Sequence, residues 1–99
     1  MKQFLFTPSA EADLFEIWSF IAAENPEAAD RVENDILSSC RKLAENPGLG
    51  HKRSDLTKRP VLFFYAVRAT YLVVFEPDSA PLRVLRILHG ARDVADELR

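Results

Sequence analysis

The chain has 99 residues, with 13 Lys+Arg against 15 Asp+Glu, one Cys, six Pro and three Gly. That length supports one domain, 1–99, with a compact core, and the apolar and charged fractions are those of an ordinary soluble protein. A single cysteine excludes an internal disulfide, no apolar run approaches the length of a membrane span, and the N-terminal residues are too soon polar for a secretion signal; the expectation is a cytoplasmic protein. Charge is unevenly divided. Residues 1–50 carry four basic and nine acidic side chains, a net −5, while residues 51–99 carry nine and six, a net +3.

Gln3 to Thr7 reads as a short strand ended by Pro8, which has no N–H for a ladder. Ser9 is the expected N-cap of a first helix over about 10–24, with Glu11 and Asp13 at the positive end of its dipole. Ala10, Leu14, Ile17 and Ile21 form a stripe at helical spacing, widened by Phe15, Trp18 and Ala22 on one side and Phe20 on the other. This apolar arc is about twice the ~100° that one buried face needs, so the helix is expected to meet two surfaces, one outside this chain. Asn25-Pro26 caps and starts a second helix to about Glu45, with Ala29, Val32, Ile36, Cys40 and Leu43 on its apolar side. Asn46-Pro47-Gly48 ends it, giving a helical hairpin.

A polar loop over 47–60 carries His51, Lys52, Arg53, Lys58 and Arg59. Val61–Val67 and Thr70–Phe75 read as strands joined by Arg68-Ala69 in an antiparallel hairpin, although neither residue is the Gly or Asn such turns favour. After a turn over 77–81, Leu82–His89 is a further strand. Gly90 releases the chain, and Ala91–Leu98 reads as a short terminal helix. The expected fold is therefore α+β: an N-terminal strand, a helical hairpin and a three-stranded antiparallel sheet (β-α-α-β-β-β), with the hairpin on one sheet face.

Most catalytic signatures are missing. No glycine-rich phosphate loop is present, and no cysteine or carboxylate pair stands at ligand spacing around His51 and His89, so neither metal nor cofactor is expected. Cys40, on an apolar stripe, reads as core rather than a reactive thiol. The carboxylates Glu11, Asp13, Glu16 and Glu24 fit solvent-facing caps better than acid–base chemistry. Arg53, Arg59, Arg83, Arg86, His89 and Arg92 are the cations that could converge at the sheet. Strict alternation along the last strand puts Arg83 and His89 on one face and Arg86 on the other. His89 suits a general base by its ordinary pKa but stands near no nucleophile motif, so a hydrogen-bonded structural role is favoured.

An ordered set of segments resembles one family. It comprises Ser9-Ala10-Glu11-Ala12-Asp13-Leu14-Phe15-Glu16-Ile17-Trp18, Asn25-Pro26, Ala28-Ala29, Leu43-Ala44-Glu45-Asn46-Pro47-Gly48-Leu49-Gly50, Arg53-Ser54-Asp55-Leu56, Tyr71-Leu72-Val73-Val74-Phe75 and Arg86-Ile87-Leu88-His89-Gly90-Ala91-Arg92-Asp93. Collinear over nearly the whole chain, it is similar to the RelE/ParE toxin superfamily, and closest to its ParE branch. The resemblance implies a type II toxin that poisons DNA gyrase by binding, without catalysis, and is neutralised by a ParD-like antitoxin. The alternative is the RelE branch, a ribosome-dependent mRNA endoribonuclease. That branch places a late aromatic near the scissile phosphate, and here none follows Phe75. ParE relatives often carry an arginine before the Phe of the second strand, and here that place is Leu62.

A folded toxin needs a groove and an open sheet edge for an antitoxin tail. Leu14, Phe15, Trp18 and Ile21 are the expected antitoxin-binding residues, with Arg53 and Arg59 in electrostatic support. Arg86, His89 and Arg92 are expected to face the target. No sequence-specific nucleic-acid binding and no membrane partner are expected.

Overall fold

The computed structural model describes residues 3–90. Its elements are β1 (Phe4–Phe6), α1 (Pro8–Ala22), α2 (Pro26–Glu45), a 3-10 turn at Pro47–Leu49, β2 (Leu62–Ala66), β3 (Tyr71–Glu76) and β4 (Leu82–His89). The expected terminal helix over 91–98 lies outside the described residues.

Proline placement sets both helices. Pro8 and Pro26 take the first helical turn, where a missing N–H costs nothing, and the residue before each supplies the cap. The Thr7 hydroxyl accepts from the Ala10 N–H at 3.2 Å. The Asn25 side chain accepts from the Ala28 N–H at 3.0 Å. The first cap is thus Thr7 rather than Ser9, and α1 starts two residues earlier than expected. Ser9, already inside the first turn, cannot serve.

The sheet has four strands in the order β1-β4-β3-β2. β2 with β3 and β3 with β4 are antiparallel, while β1 joins β4 in parallel, Phe4 opposite Leu82 and Phe6 opposite Val84. The expected three-stranded sheet therefore gains the N-terminal strand as a fourth member. Arg68-Ala69 is not a two-residue turn. Ala66 pairs with Tyr71, so four residues make the connection, and Val67, Arg68 and Ala69 all have φ between 53° and 66°. β4 carries a bulge: Phe75 faces Val84 and Val74 faces Arg86, leaving Leu85 as the extra residue.

Apolar residues are buried on both sheet faces. Between sheet and helices lie Ala10, Ile36, Cys40, Leu43, Val73, Phe75, Val84 and Ile87. On the far face Val61, Phe63, Leu72, Val74 and Leu88 form a second cluster, with Leu56 of the preceding loop packed on it. His51 exchanges both backbone hydrogen bonds with Phe63, at 2.7 and 2.9 Å, so the 51–60 segment starts along the outer side of β2. No helix among the described residues is long and apolar enough to cross a membrane.

Candidate functional site

β1 is only three residues long, so beyond Val84 the outer edge of β4 has no strand beside it among the described residues. Helix α1 supplies partners instead. The Thr7 hydroxyl donates to the Leu85 carbonyl at 2.9 Å. The Asp13 carboxylate accepts the Ile87 N–H at 2.9 Å and takes Arg86 Nε and Nη2 at 2.7 and 3.0 Å. One carboxylate thereby meets an edge amide that would otherwise template foreign pairing, and a two-pronged guanidinium. The pair is largely removed from water, with 14% of the Asp13 side chain and 25% of the Arg86 side chain exposed.

Around this pair α1 and β4 enclose a cleft of about 380 Å³, lined by Asp13, Glu16, Ile17, Phe20, Tyr71, Arg86 and His89. The His89 ring stands edge-on to Tyr71, centroids 5.7 Å apart at 80°. The cleft thus combines ionic groups with an apolar wall. Arg86 and His89 both line this cleft although they keep the expected alternation: His89 stands opposite Tyr71 on the helix side of the sheet, and Arg86, opposite Val74, reaches Asp13 at the open edge of β4. The bulge at Leu85 falls between Arg83 and His89 and breaks the alternation expected to put those two on one face. Arg83, expected to share a face with His89, instead lies 3.6 Å from Glu76. Asp13 is likewise no solvent-facing cap. On a helical wheel it sits about 40° from Ile17, at the rim of the buried arc, and that position is the signal by which its role could have been found.

The apolar residues of α1 divide three ways. Leu14 and Ile17 pack on the core. Trp18 is half-buried against α2, its indole N–H donating to Asp30 at 2.8 Å. Phe15 and Phe20 stay in solvent, 70% and 81% exposed. The two rings leave α1 about 140° apart, Phe15 beside Trp18 and Phe20 over the cleft. The expected set of Leu14, Phe15, Trp18 and Ile21 is therefore not one groove between the helices: Leu14 supports, Phe15 and Trp18 form one flank, and Ile21 lines the cleft. Phe20 is the exposed aromatic that the expected set left out, although its place on the over-wide arc was the cue.

Arg53 and Arg59 are not gathered with α1. Arg53 lies on the segment covering the far sheet face, where its guanidinium takes both Asp55 oxygens at 2.9 and 2.7 Å and donates to the Tyr65 hydroxyl. The Asp55 hydrogen bonds raise the Arg53 pKa, and the same bonds hold the Asp55 carboxyl below the usual range. Arg59 is exposed on the same segment. Arg92 lies outside the described residues. Burial pushes the Cys40 thiol up to about 12, so it rests as an inert core group. No three metal-ligating side chains come together among the described residues.

Comparison with known proteins adds the context for this geometry. Residues 4–94 match the model of a family described as ParE toxin of the type II toxin–antitoxin system, parDE. Among solved structures, one titled "Chromosomal ParDE TA system from P. aeruginosa" superposes with a TM-score of 0.71 at 24% identity, over 90% of this chain and 96% of that one. No curated protein matches significantly.

Proposed function

This chain belongs to the ParE toxin family of type II toxin–antitoxin systems, and from that premise we propose that it acts as a non-catalytic poison of DNA gyrase, neutralised by a ParD-like antitoxin docked on α1. The observation that carries the docking is the exposure of Phe15 and Phe20 at 70% and 81% on a helix whose other apolar residues are packed. Large aromatic anchors left in water supply most of the energy of a helix-on-surface interface, because their burial removes the most apolar area per side chain. Phe15 with Trp18 forms one anchor site. Phe20 over the α1–β4 cleft forms another, with Ile21 lining that cleft and Leu14 beneath the helix holding its position.

The non-catalytic reading is supported by the same cleft. A nuclease needs cations poised for developing phosphate charge. Here Arg86, the best-placed cation, has its donor fork engaged by Asp13. Arg86 and His89 serve instead as part of the surface presented to the target, together with Arg92. Incubating gyrase and plasmid DNA with the purified protein tests the reading. Accumulation of cleaved DNA that the antitoxin reverses is expected, and unchanged supercoiling and cleavage at large molar excess would overturn it.

A further inference from the structure

The chain is acidic overall, yet its positive charge is gathered along one border. Between residues 46 and 75 stand Lys52, Arg53, Lys58, Arg59 and Arg68 against one acid, Asp55, a net +4. Asp55 is held by Arg53. Lys52, Lys58, Arg59 and Arg68 are all exposed, and among the described residues none of the four has an acidic partner.

The fold lines these groups up. The 51–60 segment begins on the outer side of β2 through the His51–Phe63 bridge and returns to the start of β2, placing Lys52, Lys58 and Arg59 along it. Arg53 is fixed beside Tyr65 near the far end of the strand, and Arg68 sits in the turn that follows. Five residues of strand cover about 17 Å, which at ~3.4 Å per phosphate step is the length of about five base pairs. The helices α1 and α2, which carry most of the acidic residues of the first half, pack on the sheet face opposite the one that Leu56 of this segment covers. The molecule is thus electrically polar and would meet a polyanion β2-first.

We propose that the basic border of β2 binds the phosphate backbone of duplex DNA without sequence preference. Among the described residues no α-helix stands in this border to enter a major groove, and lysines and arginines on a loop supply positioning contacts rather than base readout. The border would hold the toxin on the duplex that gyrase is handling; that clause alone rests on the gyrase reading above.

Fluorescence anisotropy of a labelled 20-base-pair duplex with the purified full chain, over a salt series from ~50 mM, tests the surface without gyrase. The expected result is binding whose logarithm falls with log salt at a slope of about −3 to −4, as for three to four neutralised phosphates. Lys52→Gln with Lys58→Gln and Arg59→Gln should weaken binding at least tenfold and remove most of that slope. Arg41→Gln with Lys42→Gln, on α2, should change neither. Absence of binding at low salt, an equal loss from the α2 variant, or preference for single-stranded RNA or a poly-glutamate peptide over the duplex would overturn the proposal. Poisoning of gyrase unchanged by the triple variant would overturn the holding role. Duplex binding by a protein that never poisons gyrase would contradict the gyrase reading and leave the DNA surface standing.

Discussion

At the scale of single residues, Asp13 does two jobs at once, for the Ile87 N–H and for Arg86. Its removal leaves the Ile87 N–H and the Arg86 guanidinium without their carboxylate, in a place water reaches poorly. Breaking one side of a largely buried pair costs more than the pair is worth, because the remaining charge stays desolvated. Asp13→Ala should therefore lower unfolding stability by about 2–3 kcal/mol. In a denaturant double-mutant cycle with Arg86→Ala, it should show a coupling of about 1–2 kcal/mol. Additive losses would place the stabilisation elsewhere. Cys40 gives a second test at this scale. Its folded-state pKa of about 12 stands above the ordinary 9.0, so the folded chain keeps a proton that the unfolded chain releases. Stability contributed this way is intact below pH ~9 and falls between there and ~12, by up to about 1.4 kcal/mol per pH unit. Wild-type stability should drop from pH 8 to pH 10.5 more steeply than that of Cys40→Ala, and native Cys40 should resist alkylation until the protein unfolds. Parallel pH profiles for the two proteins would refute the burial account.

Among the elements, the β2–β3 connection and the 3-10 turn hold the sharpest constraints. Three successive residues at positive φ, including the β-branched Val67, carry a steric cost of ~1 kcal/mol or more each that glycine would avoid. Ala69→Gly should raise stability by about 0.5–1 kcal/mol in thermal or denaturant unfolding; a loss would show that the native φ is not what limits this turn. Gly50 is the opposite case. A Cβ there would run into the Phe75 ring and come within 2.9 Å of Leu62 Cβ, both well-packed apolar groups. Gly50→Ala should cost about 2 kcal/mol or more. These elements also mark what the sequence reveals and what it conceals. α2 is legible because Asn25-Pro26 and Asn46-Pro47 punctuate it and its apolar steps of three and four are regular. The hairpin strands are legible from their β-branched and aromatic runs. β1's partner is not, since three residues carry too little alternation to say which edge they join. Nor is the Leu85 bulge, a single inserted residue that takes Arg83 off the face of His89 and so defeats any argument based on strict alternation along the whole strand.

For the whole molecule, the proposed neutralisation centres on α1. One side of it closes the core, Asp13 seals the β4 edge, and two phenyl rings remain in water with nothing of the described chain over them. The acidic helices and the basic β2 border then give the particle two unlike sides, one suited to an apolar anchor and the other to a polyanion. Sequence periodicity already pointed to a second contact for α1, because its apolar arc is too wide for one face. The structure locates the surplus at Phe15 and Phe20 rather than in a slot between the helices. The most direct test is growth of cells producing Phe15→Asp with Phe20→Asp, alone and together with the ParD-like antitoxin. Growth arrest that the antitoxin no longer relieves, with the wild type fully rescued alongside, is the predicted result. A folded double variant that is rescued as completely as the wild type, or that no longer arrests growth by itself, would contradict the assignment of α1 as the neutralisation surface.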